Sequence, residues 1–222
     1  MIEDFLIALE SFEIIDTLGE GSFGKVNLIR QKQIKTLYAA KILKFRFQKY
    51  SKEQQLFFQE LLAYSKINHP TVLPLYGFSL TNFEDQPYPT IITEYMPKGS
   101  LHQIFTQNVT LSPSIKYIIL YGIAEGMNYL HSKGIIHRKL SPNNILIDSN
   151  FYPHICDFEE SKMSDLSESL NHDQQSIKSS IYTAPEIISK NLYTSSSDVY
   201  SFSLILYELV SGSILSSDSE DI

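Results

Sequence analysis

Apolar and polar positions along this chain follow two different patterns, which change near residue 95. Before that point, short runs rich in β-branched and aromatic residues predict five strands. These runs are FEIIDTL, KVNLIRQ, LYAAKIL, VLPLYGF and TIITEYM. One segment between them, SKEQQLFFQELLAYSKI, predicts a helix that stops before Pro70. Beyond the connector EYMPKGS, helical spacing dominates.

Two long helices are predicted in the second part of the chain. The first begins with Ser112 as its N-cap and Pro113 in its first turn, and Gly134 ends it. The second extends from about Ser197 to Gly212, with apolar residues at helical spacing. The pattern therefore predicts a strand-rich part followed by a helix-rich part.

Composition and charge narrow the class of protein. The 222 residues are 43% hydrophobic and 19% charged, which is typical of a globular protein. A net charge of -7 disfavours a nucleic-acid partner, and the lone Cys156 favours a reducing compartment. The N-terminal segment MIEDFLIALE lacks the basic residues of a signal peptide, and no apolar run is long enough to span a bilayer. We expect a cytoplasmic chain without membrane insertion.

Three closely spaced glycines, Gly19, Gly21 and Gly24, lie in the segment LGEGSFGKV. Glycines allow backbone N–H groups to approach phosphate oxygens. In a dinucleotide-binding fold such glycines open a helix, whereas here the alternating segment KVNLI follows. The glycines are therefore predicted to turn one strand into the next, either to cover phosphates or as an ordinary hairpin.

A lysine and a glutamate occupy predicted elements among apolar neighbours. Glu60 shares a helix face with Phe57 and Tyr64, so its carboxylate is predicted to point inward. An inward carboxylate needs a cationic partner, and Lys41 in YAAKIL is the natural candidate. The alternative for Lys41 is a solvent-facing position on the strand.

Two side chains with oxygen donors adjoin strand-like apolar runs, Asn144 in HRKLSPNN and Asp157 in ICDFEES. Oxygen donors of this kind suit Mg²⁺, which one or two protein groups and substrate phosphates usually hold. The alternative is that both are turn residues.

Taken together, these segments resemble the protein kinase family over nearly the whole chain. The matching positions, in order, are the glycine segment, Lys41, Glu60, His137-Arg138, Asn144, Asp157-Phe158, Ala184-Pro185-Glu186 and Asp198. The resemblance implies an α+β, bilobal fold. Residues 1–95 would form an N-lobe with a five-stranded sheet and one helix, and residues 96–222 a mainly helical, incomplete C-lobe. The segments ITEYMPKGSL and NHPTVLPLYGF look closest to tyrosine-kinase-like Ser/Thr kinases.

The resemblance implies ATP and Mg²⁺ as cofactors, with Asn144 and Asp157 as the metal ligands. The residues implied at ATP are Leu18, Gly19, Glu20, Gly21, Ser22, Phe23, Gly24, Val26, Ala39, Lys41, Glu60, Glu94 and Met96. Thr93 would be the gatekeeper, and Asp198 would accept backbone N–H groups of the catalytic loop. Tyr64, His137 and Phe158 would join an apolar column. The segment 157–186 would be the activation loop, with its serines as possible phosphorylation sites.

The chain departs from the family pattern at positions that matter for chemistry. Lys139 replaces the aspartate that accepts or orients the substrate hydroxyl proton, and a lysine at its usual pKa is protonated and has no lone pair. Ser141 stands where Ser/Thr kinases carry a lysine, and Glu159 replaces the glycine after Asp157-Phe158. We also expect Glu186 to lack its usual arginine partner, because the chain stops soon after the last predicted helix.

Three hypotheses follow from this comparison. The favoured one is a catalytically impaired pseudokinase that binds ATP and acts in signalling as a regulatory or scaffold module. The alternative is an active Ser/Thr-type kinase that transfers the γ-phosphate of ATP to proteins. The third is a degenerate or truncated copy without a stable fold. A protein substrate or partner cannot be named from the sequence.

Overall fold

A computed structural model describes residues 2–21, 24–158, 160–163 and 180–215. Contacts between residues divide the chain into two units. The first comprises Met1–Asn68 and Leu73–Met96, and the second comprises His69–Val72 and Pro97–Ile222. The assignment of residues 1–95 and 96–222 to two kinase lobes stays a prediction.

The first unit is built on a five-stranded antiparallel sheet with the strand order β1-β2-β3-β5-β4. Its elements are β1 (Phe12–Glu20), β2 (Gly24–Gln31), β3 (Leu37–Leu43), α1 (Lys52–Lys66), β4 (Leu75–Ser79) and β5 (Thr90–Glu94). The predicted α+β class is confirmed, with the five strands and one α-helix that the pattern indicated. The fourth strand begins at Leu75 and not at Val72, because Pro74 has no N–H to donate to a strand ladder.

Alternating side chains place apolar groups on both faces of this sheet. On one face, Ala40 and Ile92 pack with Phe12 and have no exposed surface. On the other face, Leu43 and Ile91 pack against Phe57, Leu61 and Phe78. Since Phe57 and Leu61 belong to α1, this helix covers the second face. The side chain of Ser51 caps the start of α1 by accepting the Gln54 N–H.

The second unit is mainly helical, with two pairs of short strands between the helices. Its elements are α2 (Leu101–Thr106), α3 (Pro113–Ser132), β6 (Ile135–Ile136), β7 (Ile145–Ile147), β8 (Pro153–Ile155), β9 (Lys162–Met163), α4 (Pro185–Lys190) and α5 (Ser195–Ser211). Strand β6 pairs with β9, and β7 pairs with β8. Both long helices are confirmed, and Ser112 caps α3 as predicted. Among the described residues, no helix combines the length and hydropathy needed to cross a bilayer.

Two glycines on α3, Gly122 and Gly126, allow close packing against β8 and Thr71. A Cβ atom on Gly126 would lie 2.5 Å from Thr71 Oγ1 and 2.7 Å from Ile155 Cδ1. A Cβ atom on Gly122 would lie 2.6 Å from a ring carbon of the proline in β8. The Ile155 N–H also donates to the Thr71 carbonyl at 2.8 Å. These contacts explain why residues 69–72 belong to the second unit.

We predict that Gly126→Ala destabilises the protein although alanine favours helices. The gain in helix propensity is about 1 kcal/mol, whereas forcing a methyl group into a packed interface costs about 1–3 kcal/mol. Urea denaturation should therefore show a net loss of up to about 2 kcal/mol. The control is Asn128→Ala on the exposed face of the same helix, which should be neutral or slightly stabilising. A Gly126→Ala variant as stable as this control would contradict the packing argument.

Candidate functional site

The glycine segment forms the turn of the β1–β2 hairpin. Glu20 pairs with Lys25 across the two strands, and the Gly21 N–H donates to the Gly24 carbonyl at 2.9 Å. The glycines therefore turn one strand into the next, as predicted, and do not open a helix. Ser22 and Phe23, which were predicted to contact ATP, lie outside the described residues.

The three glycines differ in what the fold requires of them. A Cβ atom on Gly24 would lie 2.5 Å from the Ile42 carbonyl oxygen on the neighbouring strand, so a side chain there collides with backbone. A Cβ atom on Gly19 or Gly21 would meet no atom within 4 Å. Close packing of the sheet therefore explains Gly24, whereas it does not explain the absence of a side chain at Gly19 and Gly21.

Lys41 lies on the sheet face that α1 covers. It pairs across the ladder with Ile91, and such cross-strand neighbours share one face of a sheet. Ile91 packs with Phe57 and Leu61 of α1. Glu60 of the same helix is 4% exposed, so its predicted inward direction is confirmed. Its pairing with Lys41 stays a prediction, supported by this shared face.

The other residues predicted at ATP in the first unit lie along β1, β2, β3 and the end of β5. Leu18 and Glu20 are exposed, and the Glu20 carboxylate pairs with Lys44 Nζ at 2.9 Å. Ala39 pairs with Thr93, the predicted gatekeeper, across β3 and β5. The remaining positions are half-buried Val26, exposed Glu94 and buried Met96.

In the second unit, the buried carboxylate of Asp198 holds the backbone of the predicted catalytic loop, residues 137–144, at its start. Asp198 lies in the first turn of α5 and is 1% exposed. It accepts the backbone N–H groups of His137 and Arg138 and the ring N–H of His131, each at 2.9 Å. The predicted role of Asp198 is therefore confirmed. Three donors compensate for removing this negative charge from water.

The His137 ring is fixed in one tautomer by its neighbours. Its Nδ1 accepts the Lys139 N–H at 3.3 Å, so Nε2 carries the proton and donates to the Cys156 carbonyl at 3.0 Å. Burial lowers the pKa of His137 below its ordinary value, which keeps the ring neutral. The ring packs edge-on against Phe158 at 5.3 Å, as the predicted apolar column requires. The remaining predicted member, Tyr64, belongs to the first unit.

Asn144 and Asp157 lie at the same end of the β7–β8 pair. Ile145 pairs with Ile155, and the Cys156 N–H donates to the Asn144 carbonyl at 3.0 Å. The Asn144 side chain donates its Nδ2–H to the Lys139 carbonyl at 2.8 Å, which directs the amide oxygen Oδ1 the other way. One of the two predicted metal ligands is therefore oriented by the backbone of residue 139.

The ammonium of Lys139 pairs with the carboxylate of Asp157. Lys139 Nζ lies 2.8 Å from Asp157 Oδ2 and 4.0 Å from Glu160 Oε1. The Lys139 and Asp157 side chains are 26% and 18% exposed, so solvent only partly screens the pair. Glu159, the other unusual acid of this segment, lies outside the described residues. The residue in the proton-acceptor position is thus a cation bound to the predicted metal ligand.

This ion pair bears on whether the site suits a divalent metal. Of the two predicted magnesium ligands, Asn144 is neutral and Asp157 already has its Oδ2 against an ammonium group. Because the cation lies against one of the two Asp157 oxygens, this arrangement fits a divalent ion less well than a carboxylate with no cation beside it.

Two residues of this loop region have left-handed backbone conformations. Arg138 has φ 69° and Asp157 has φ 68°, a region that non-glycine residues enter at a cost. The Arg138 guanidinium carbon lies 4.2 Å from the centre of the Tyr193 ring, and burial lowers the pKa of Arg138. Sequence spacing gave no signal for this stacking, because the two residues lie on separate loops.

The last residues of the predicted activation loop bind α5 through polar contacts that sequence reasoning missed. Tyr182 donates its hydroxyl to Glu208 Oε2 at 2.7 Å, and Ser201 Oγ donates to the Tyr182 carbonyl at 2.8 Å. Burial and the bond to Glu208 raise the pKa of Tyr182. Glu186, expected to lack its arginine partner, accepts the Ser197 hydroxyl at 3.0 Å. The loop serines between residues 164 and 179 lie outside the described residues.

Comparison with known proteins points to one family. The family model described as a protein kinase domain matches residues 12–222. A probable serine/threonine-protein kinase of Dictyostelium discoideum is 33% identical over 214 residues, which cover 95% of this chain and 22% of that protein. The cAMP-dependent protein kinase type 3 of Saccharomyces cerevisiae is 31% identical, over 92% of this chain and 49% of that protein. An Aurora kinase of Yarrowia lipolytica is 30% identical, over 92% and 53%. The chain thus spans between about a fifth and a half of these relatives.

We predict that Asp198→Asn destabilises the protein, because the amide keeps one acceptor and turns its NH₂ group toward a backbone donor. A buried hydrogen-bond donor without an acceptor costs about 1–3 kcal/mol, which urea denaturation would detect. The control is Asp85→Asn at an exposed turn residue with φ 56°, a conformation that asparagine tolerates. This control should change stability by less than about 0.5 kcal/mol. Equal stability of the two variants would contradict the anchoring role of Asp198.

Proposed function

Because this chain belongs to the protein kinase family, we propose that it binds ATP and is impaired in phosphoryl transfer. It would then act in signalling as a regulatory or scaffold module. Protein kinases in general use ATP and Mg²⁺. The chain spans only part of its relatives, so the proposal concerns the domain contained in residues 12–222. A cytoplasmic location stays a prediction.

The observation that carries the proposed impairment is the ion pair between Lys139 and Asp157. In the family, the residue at position 139 accepts or orients the proton of the substrate hydroxyl. An ammonium group held against a carboxylate has no lone pair for this proton. General-base assistance contributes about 10²–10⁴ in rate, so its loss alone would leave a slow enzyme.

Features of the first unit support ATP binding. Gly19 and Gly21 have open space where a side chain would be, so the sheet does not require glycine there. Close approach of phosphate oxygens to the backbone is a reason for glycine that does not depend on the sheet. Lys41 lies on the face covered by α1, where buried Glu60 needs a cation. A lysine held in this way would present its ammonium to the α- and β-phosphates.

An active Ser/Thr kinase remains the alternative, and the fixed backbone directly before residue 139 supports it. Asp198 holds the N–H groups of His137 and Arg138, directly before residue 139. A replacement side chain at position 139 would therefore start from a positioned backbone. Positioning and electrostatics supply most of the catalysis in phosphoryl transfer, so this alternative expects residual activity without the base.

We predict that ATP stabilises the wild-type chain against heat. At about 100 times the Kd, a ligand adds about 2.7 kcal/mol, which corresponds to roughly 5–10 °C in Tm for a chain of this size. Gly21→Ala should weaken this ATP-induced shift while leaving the Tm without ATP unchanged. The matched control is Gly24→Ala, which should lower the Tm without ATP because of its collision with Ile42. No shift with ATP, whether Mg²⁺ is present or chelated, would refute nucleotide binding.

We predict that Lys139→Asp raises phosphotransfer at least about 100-fold, the lower range of general-base assistance. The measurement is transfer of labelled γ-phosphate, in the presence of Mg²⁺, to the chain itself and to a random peptide mixture. The control is Lys190→Asp at an exposed residue of α4, which makes the same change in net charge. Wild-type transfer as fast as that of Lys139→Asp would show that the kinase is active without a base at this position.

A further inference from the structure

We propose that the ammonium of Lys139 serves as a built-in cation at Asp157, so that this chain binds nucleoside triphosphates without a divalent metal. The inference rests on the proposed binding of ATP and specifies its metal dependence. It departs from the Mg²⁺ that the family resemblance implies at Asn144 and Asp157. The inference rests on the position of the Lys139 side chain and on the hydrogen bonds that hold the Lys139 backbone.

The ion pair occupies one of the two carboxylate oxygens of Asp157. Lys139 Nζ is 2.8 Å from Asp157 Oδ2, within the range of a short, charge-assisted hydrogen bond. Metal binding through this oxygen would require the ammonium to leave or would place two cations side by side. Because Asp157 is 18% exposed, water weakens that repulsion only in part. Lysine and metal therefore compete for one carboxylate.

The backbone of Lys139 is held at both ends of the residue. Its N–H donates to His137 Nδ1 at 3.3 Å, and its carbonyl accepts Asn144 Nδ2–H at 2.8 Å. The second predicted metal ligand, Asn144, is thus tied to the residue that carries the competing charge. The ammonium can move only by rotation of its own side chain, since its Cα is fixed by these contacts.

The local sum of charges is also less negative than in the family pattern. In that pattern, residue 139 is an aspartate, and with Asp157 and Glu160 the charge here would be −3. With Lys139 it is −1, and Lys139 Nζ lies within 4.0 Å of both carboxylates. A site of charge −1 attracts a divalent ion less, whereas its ammonium can approach the anionic phosphate oxygens directly. Lysine is a common phosphate-binding residue as a point charge.

Metal binding without nucleotide tests the competition directly. We would titrate the chain with Mn²⁺ and follow free Mn²⁺ by electron paramagnetic resonance. Lys139→Met should bind Mn²⁺ at least about tenfold more tightly than the wild type, and adding Asp157→Asn should abolish that gain. Lys190→Met removes an exposed lysine and should match the wild type, and Lys139→Arg keeps the charge and should also match it. Equal affinity of wild type and Lys139→Met would overturn the inference.

The metal dependence of nucleotide binding supplies the second measurement. Displacement of a fluorescent ATP analogue from the wild-type chain should give Kd values within about threefold in EDTA and in Mg²⁺. Lys139→Met should bind at least about tenfold more weakly in EDTA than in Mg²⁺. Wild-type binding only with Mg²⁺ would overturn the inference and leave the proposed function intact. Absence of binding in both buffers would refute the proposed function, and the Mn²⁺ titration would still decide the competition at Asp157.

Discussion

The order of the predicted catalytic loop depends on the hydrogen bonds that the buried carboxylate of Asp198 accepts. A charge removed from water is tolerated only when donors surround it, and here two backbone N–H groups and one histidine ring do so. The first turn of α5 thereby fixes where the chain leaves β6. The neutral tautomer of His137, the position of Lys139 and the orientation of Asn144 all follow from that fixed backbone.

Asp157 shows that the presence of a ligand residue in the sequence does not by itself make its carboxylate available to a ligand. Its presence in the sequence satisfies the family pattern, but its Oδ2 atom lies against the Lys139 ammonium. The chemistry of a site depends on how its charged groups pair with one another. One substitution at a neighbouring position can therefore alter it while the ligand residue itself is unchanged. Gly24 illustrates the same distinction in the sheet, since packing against Ile42 explains its identity without any ligand.

Most of the fold could be predicted from the sequence, because long periodic segments report directly which faces are buried. The five strands, α1, α3 and α5 all have such periods, whereas α2 and α4, of six residues each, are too short to show one. The inward direction of Glu60 was predictable from helical spacing. The ion pair of Lys139 with Asp157 was not, because it joins residues 18 positions apart through a left-handed backbone at Asp157. Pattern reasoning identifies residue types, and only the folded backbone determines which charges meet.

The four residues 69–72 interrupt the first unit along the sequence. They belong to the second unit, through the bond from Ile155 to Thr71 and the close passage of α3 at Gly126, yet both flanking segments belong to the first. The first unit is therefore discontinuous along the sequence. Cutting the chain after Met96 would separate Thr71 from its neighbour β8. Recombination or domain exchange between relatives at that boundary would carry the second unit's residues 69–72 along with the wrong half.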